Sequence, residues 1–496
     1  MTLRDEINTF VEDTLSIGQI EQHEQPKILR DGIGNLITFE NYEISIIDSP
    51  LLQRLRNIHQ TAFAYLVYPS ANHTRFEHSL GVANIVKQIT TSLKNNDETA
   101  RAFDDNICRE LRIAAILHDI GHGPFSHVSE DLIKNLHYIK EELKQEKFDV
   151  DKPHEMLAYH IIRSDNFKDY LTKIKRIYGF PAINIEKMSN MVIGTMDDPW
   201  NEGYLGDIIN GPFDADKLDY IMRDAHSTGI KMSYDLDRYL SSVSLDPREQ
   251  CRLIHDVNGA HILEQILFCK MFLYPSVYHH QKVRATECMI KSIFEKIYDK
   301  KITLLGYSFE KATDFLRFND YTFMYEAQKC PELKISINNI LNRNLLMRCL
   351  TINRHTIEES TFSEFIRLIK LRETNNDQVN EIINKVRLNI VDRLNKKGVP
   401  VDIYSIWLDL PSFPKFNEGF RHIIRLNKSM FPTLSELFPT SQWALSYAQF
   451  KWKGHLFGPL KYQEQITKTA KEVIENEIGI KFNASAERPN KRIIVE

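Results

Sequence analysis

Four side chains set the chemistry open to this sequence. His78 lies in TRFEHSLG, His118 and Asp119 lie in AAILHDIGHGPFSH forty residues on, and Asp216 lies in FDADKLDY. Two imidazoles and two carboxylates make a donor set that retains a divalent cation and leaves positions for water and phosphate oxygen. The set suits Mg, Mn, Fe, Co, Ni or Zn and selects none of them. A His-Asp pair alone occurs by chance in many chains, but the run HDIGHGPFSH adds His122 and His127 at the same bend. Each is either a further titratable group or a structural hydrogen-bonding histidine. Arg75 stands three residues before His78, so a helical turn points both to similar faces and sets a guanidinium fork beside a metal-held phosphate. The competing reading of Arg75 is a salt bridge to Glu77 or Glu110.

The elements around these residues are mainly helical. The apolar run RELRIAAIL predicts a helix core that ends at His118-Asp119, with Gly121 and Gly123 turning the backbone just beyond. Asp216, Lys217 and Tyr220 share one helical stretch, with Asp216 and Tyr220 four apart, which directs them toward one cleft. Asp48-Ser49-Pro50 reads as a helix start, and PLLQRLRNIHQTAFAYLV, with leucines and aromatics at intervals of three and four, as one core-facing helix. Ahead of it, GNLITF and YEISIID are expected to pair as a small hairpin around an Asn-Tyr turn. The boundaries that follow are an N-terminal segment at 1–50, a core at 51–300, a helical extension at 301–398, a mixed α/β C-terminal lobe at 399–481 and a tail at 482–496. The fold class expected is mainly α, a helical core with that smaller lobe.

With 496 residues the chain has room for more than one hydrophobic core. A net charge of -4 argues against a surface that coats nucleic acid, and only the local clusters KWKGH and PNKR speak for such binding. The six cysteines form no CxxC pair, so no zinc ribbon or thiol-exchange site is supported, and they read as buried small hydrophobes in a reducing compartment. The first residues lack a signal-peptide pattern and no stretch is apolar for eighteen residues, so a cytoplasmic protein with no membrane contact is expected.

The combination of RFEHSLGV, HDIGHGPFSH and DADKLDYIMRD resembles the HD-domain phosphohydrolases, and within them the deoxynucleoside triphosphate triphosphohydrolases. The resemblance is strong over roughly residues 25–300, and leaves no room for the SAM domain that precedes the catalytic part of the vertebrate enzyme. It implies an HD core with His78, His118, Asp119 and Asp216 as metal ligands. It implies cleavage of a dNTP between its 5′ oxygen and α-phosphorus, giving deoxynucleoside and inorganic triphosphate. By the same matching Arg75 contacts phosphate, His122 and His127 line the phosphate and leaving-group side, and His154 is a further active-site histidine, with His122 or His154 as proton donor. Lys217 would contact phosphate, Tyr220 would crowd a ribose 2′-hydroxyl, and Asp224 would accept the sugar 3′-hydroxyl. The alternative for Asp224 is an ion pair with Arg223 on the helix surface. Gln60 matches a residue near sugar or base, and Tyr274 and Tyr278 match aromatic walls.

The resemblance further implies that Asp48, Gln53 and Arg56 recognise an activating nucleotide, GTP or a dNTP, at a subunit interface, within a homo-oligomer that is a tetramer. Asp48 as a helix cap and Arg56 as a solvent-facing side chain are the plainer readings of those positions. The HD ligands specify phosphate activation more firmly than leaving group. Hydrolysis of another nucleotide phosphoester therefore stands as the alternative, and a nucleotide-sensing protein without turnover as a third reading.

Overall fold

The computed structural model describes residues 2–33, 36–145, 148–149, 152–196, 201–248, 252–412 and 417–487. Helices take 63% of the chain and strands 8%, so the protein is mainly α. It divides into two compact units. The first comprises Met1–Leu273, Thr303–Glu326 and Phe416–Thr440, and the second Tyr274–Ile302, Ala327–Lys415 and Ser441–Glu496. Both are discontinuous along the chain, a different cut from the five consecutive segments expected above.

In the first unit the long helix Arg75–Lys94 packs along Asp105–Leu117 on one side and Ala215–Thr228 on another. Val82, Ala83, Val86 and Ile89 of the first helix and Leu111, Ala114, Ala115 and Leu117 of the second are fully or almost fully buried. Around them stand Leu3–Ser16, Pro153–Arg163, Asp165–Tyr178, Ile185–Val192 and Gly203–Asn210. A small sheet in this unit joins Val243–Leu245 antiparallel to Leu253–Asp256, which pairs in parallel with Ile424–Arg425.

The second unit is built on an antiparallel sheet whose central strand, Gly454–Gly458, lies between Met347–Ile352 and Trp407–Asp409. Leu350, Leu408 and Leu456 of those strands bury against Val386, Ile390 and Leu394 of helix Asn376–Lys396 and Ile466 and Val473 of helix Gln463–Ile478. This is the smaller mixed α/β lobe, with strand Met347–Ile352 contributed from ahead of residue 399.

Three local expectations are corrected. An antiparallel hairpin does occur near the N-terminus, but it pairs Lys27–Arg30 with Leu36–Phe39, and Asn41–Ile47 is a helix. A capping box closes that helix: the Glu43 carboxylate accepts the Glu40 N–H at 2.8 Å. The segment after Pro50 is not one helix but a short turn Pro50–Gln53, a 3₁₀ turn Arg54–Asn57 and another at Ala64–Leu66. The break falls at Ile58, which turns extended so that its carbonyl accepts the Arg75 N–H at 2.9 Å. Cys269, Cys288 and Cys349 are buried, whereas Cys108 and Cys330 are only half-buried; Cys251 lies outside the described residues, as do 488–496 of the tail, with PNKR among them. Among the described residues no helix is long and apolar enough to cross a membrane.

Candidate metal centre

Three helices deliver the donor set. Arg75 opens the helix Arg75–Lys94 and places His78 in its first turn. Helix Asp105–Leu117 is N-capped by Asp104, whose side chain accepts the Ile107 N–H, and its buried last two turns end on His118. Helix Ala215–Thr228 is capped by Asp214 and carries Asp216 in its first turn. Gly121 permits the close approach of helix Pro153–Arg163, since a Cβ there would collide with the His154 carbonyl and the Ala158 nitrogen.

The ligand atoms of His78, His118 and Asp216 lie within 4.8 Å of one another. His78 Nε2 is 2.9 Å from Asp216 Oδ1 and 3.8 Å from Asp119 Oδ2, and His118 Nε2 is 3.3 Å from Asp119 Oδ1. The opposite nitrogens are engaged: His78 Nδ1 bonds Asp219 Oδ2 at 2.8 Å and His118 Nδ1 bonds the Ala115 carbonyl at 2.7 Å. A hydrogen on each Nδ1 leaves the Nε2 lone pair facing the carboxylates. Both Nε2 atoms are buried and neither makes a well-formed hydrogen bond. A divalent cation is what this donor set fits, and His78, His118, Asp119 and Asp216 could hold it. Burial opposes a charge on Asp119, but Arg75, His118 and His122 hold its carboxyl well below the usual range. Burial likewise opposes a positive charge at His78, and the Asp216 and Asp219 carboxylates on its two sides override that and raise it, the same field that favours a cation at Nε2.

Arg75 donates from Nη1 to Asp119 Oδ2 at 2.9 Å and from Nε to Ser126 Oγ at 3.0 Å, while Nη2 lies 3.4 Å from His127 Nε2. Its partner is thus Asp119, not Glu77 or Glu110. Glu130 ties the remaining histidines together. Its Oε1 is 2.9 Å from His122 Nδ1 and 3.1 Å from His154 Nδ1, and its Oε2 is 3.2 Å from His127 Nδ1. His122 and His154 stack with ring centroids 4.1 Å apart, and the other nitrogen of His122 is 3.2 Å from Asp119 Oδ1. Burial, with Arg75 and His154 nearby, holds His122 down to about 4, whereas for His154 burial is overridden by Glu130, which raises it. The His127 side chain is 71% exposed.

The remaining expected residues fall into three groups. Gln60 is buried with its Oε1 unpartnered, and its N–H bonds the His73 carbonyl at 3.0 Å. Asp224 is buried and takes His73 Nε2 at 2.7 Å, which corrects the surface ion pair with Arg223; Arg223 instead bonds Asp219 and Asp31. Lys217 is buried on Asp214 Oδ2 at 2.6 Å and the Gly211 carbonyl at 2.8 Å, and Tyr220 is half-buried one turn on. Tyr274 and Tyr278 belong to the second unit, in a π-helical turn with their rings edge to face at 5.3 Å. Asp48 Oδ2 lies 3.2 Å from His23 Nε2, Gln53 bonds the Ile47 carbonyl, and Arg56 bonds Gln53 at 2.7 Å with its guanidinium 3.7 Å from the Phe76 ring centroid. Asp48 closes helix Asn41–Ile47 at its C-terminal end, and Ser49 is the N-cap of the next turn.

Sequence reasoning missed Asp219, Glu130, His73 and Ser126. Asp219 and Glu130 each stand three residues after a chosen residue, Asp216 and His127, and that spacing was the available signal.

The HD domain family matches residues 75–189 and the HD associated region matches residues 234–481, half of the chain. The protein belongs to the HD-domain phosphohydrolase family. It is 28% identical to an uncharacterized protein of Methanocaldococcus jannaschii over 92% of this chain and 83% of that one. It is 29% identical to the deoxynucleoside triphosphate triphosphohydrolase SAMHD1 of Bos taurus over 56% of this chain and 49% of that one, so it spans about half the length of that relative. A phosphohydrolase of Bacteroides thetaiotaomicron shares the fold with a TM-score of 0.64 at 20% identity, over 87% of this chain and 99% of that one.

Proposed function

We propose that the protein is a metal-dependent deoxynucleoside triphosphate triphosphohydrolase. The observation that carries the reading is the Arg75 guanidinium held against Asp119, itself beside two imidazoles whose free Nε2 lone pairs converge with Asp216. A divalent cation on His78, His118, Asp119 and Asp216 would supply Lewis-acid polarisation of the phosphoryl group and of water. Arg75 neutralises the phosphoryl oxygens from the adjacent side, with Lys217 and His127 around the polyphosphate. His154 gives the proton to the departing 5′ oxygen. It rests on Glu130 and its side chain keeps 12% exposure, where His122 has none. Asp224 accepts the 3′-hydroxyl, Gln60 with its unpartnered oxygen reaches sugar or base, and Tyr220 crowds the 2′ position.

Regulation belongs to the same reading. Asp48, Gln53 and Arg56 form an effector surface for GTP or a dNTP in a homotetramer. What supports it is that Gln53 and Arg56 are already hydrogen-bonded, with Arg56 over Phe76 on the helix that carries Arg75 and His78.

The test is incubation with the four dNTPs, singly and mixed, with and without GTP, under Mg, Mn, Fe and Co, with products separated by chromatography. Deoxynucleoside and intact triphosphate, lost in Asp119→Ala, are expected. Orthophosphate or pyrophosphate as product would move the assignment to another nucleotide phosphoester, and no product from folded, metal-loaded protein would overturn it.

A further inference from the structure

Between Gly123 and His127 the backbone adopts a conformation that side chains with a Cβ rarely take: φ is +60° at Phe125 and +49° at Ser126. Such a turn persists only where its surroundings over-determine it. The group that holds it comes from far along the chain. Asp320, the first residue of helix Asp320–Lys329, accepts the Phe125 N–H on Oδ1 at 2.6 Å. Its Oδ2 takes the His59 N–H at 3.0 Å and His59 Nδ1 at 2.7 Å. Phe323 on the same helix sets its ring edge-on to Phe125, centroids 5.4 Å apart. A carboxylate that is 5% exposed is tolerated only with such a set of donors.

The held turn ends at the phosphate site. Ser126 Oγ donates to the His59 carbonyl at 2.6 Å and accepts Arg75 Nε at 3.0 Å, while Arg75 Nη1 bonds Asp119. Ser126 therefore takes one edge of the guanidinium and Asp119 the next, which fixes the plane in which Nη2 is presented.

We propose that Asp320 is a positioning residue for Arg75: by clamping the Phe125–Ser126 turn onto His59, it fixes the orientation of the guanidinium that binds phosphate. The inference rests on the phosphohydrolase reading of Arg75. It makes Asp320, within the HD associated region, a working part of the site in the HD domain.

The experiment is a double-mutant cycle on the full metal-loaded chain. It uses Asp320→Asn, Ser126→Ala and Arg75→Ala, with each of the first two also combined with the third. Asp320→Asn is expected to lower kcat/KM for dNTPs about a hundredfold, and Ser126→Ala about tenfold, since small misplacements of a binding group cost on that scale. On the Arg75→Ala background either change should add less than about twofold, because the group they orient is gone. Losses that multiply instead would give Asp320 a general structural role and overturn the proposal. Ser126→Ala leaves the buried carboxylate in place, so it decides the matter even where Asp320→Asn unfolds. If wild type fails to hydrolyse dNTPs, the substrate reading has failed, and the same cycle is read by calorimetric binding of inorganic triphosphate. Non-additive weakening there supports the role of Asp320, and unchanged affinity in Ser126→Ala and Asp320→Asn removes it.

Discussion

Asp219 Oδ2 holds His78 Nδ1 at 2.8 Å, and this contact decides which imidazole nitrogen faces Asp216. The same carboxylate takes two hydrogen bonds from Arg223, whose other face is bound by Asp31. His78 is thus oriented by a buried ion network and not only by its own helix. Asp219→Asn removes the charge that fixes the tautomer. Divalent-metal affinity, titrated with Mn against a chelator, should weaken roughly 10- to 100-fold, the usual range for a partner of a metal-binding histidine. Unchanged affinity would sink His78 as a ligand through Nε2.

Gly81 lies one turn beyond His78 against this network. A Cβ at that position would collide with the Asp219 carboxylate and the Arg223 guanidinium, and Arg223 cannot withdraw while Asp31 holds it. Gly81→Ala should therefore cost about 1–3 kcal/mol in urea unfolding, as overpacking does, and loosen metal binding along with it. A variant with the wild-type midpoint and wild-type metal affinity contradicts both halves of the argument.

His118 and Asp119 were legible because the helix that delivers them is apolar on its buried face and stops at the pair. Arg75 was legible by its spacing from His78, although its carboxylate partner was not. The buried carboxylates Asp31 and Asp320 were not legible, because each is defined by donors far along the chain, whereas Asp219 and Glu130 stood three residues from chosen positions and were passed over. Asp31 meets Arg223 and Asp320 meets Phe125 across some 190 residues of chain, and a lone Asp in sequence looks the same whether solvated or buried. Asn41–Ile47 was misread because its branched residues favour a strand. The deciding interactions are the capping box at Glu40 and the fully buried Glu43, whose carboxylate takes Arg112 Nε at 2.6 Å and Nη2 at 2.9 Å.

Asp224 is buried on His73, so its carboxylate is held in place and shielded from solvent. If it receives the sugar 3′-hydroxyl, a substrate without that hydroxyl should lose a hydrogen bond to a charged group. That loss is worth about 1.5–3 kcal/mol, or roughly ten- to a hundredfold in kcat/KM. Wild type should accordingly prefer a dNTP over its 2′,3′-dideoxy analogue by that factor, and Asp224→Ala should treat the two alike. Equal preference in both proteins would move the sugar contact elsewhere.

His255 and His422 meet at 2.8 Å between Nδ1 and Nε2, both buried beside Tyr239 and Phe213. Burial holds His422 down to about 3, and burial together with His422 holds His255 well below its ordinary value. Both are neutral in the folded chain, whereas in the unfolded chain each takes up a proton near its ordinary pKa of about 6.5. Their contribution to stability is then complete above about pH 6.5 and is lost as pH falls toward 3, at about 1.4 kcal/mol per pH unit for each imidazole. Urea unfolding at a series of pH values from 7.5 to 4.5 should show stability falling with acid. His422→Gln should show a shallower slope by about one imidazole. Equal slopes in the two proteins would mean that His422 is already charged in the fold, and the pairing with His255 would have to be discarded.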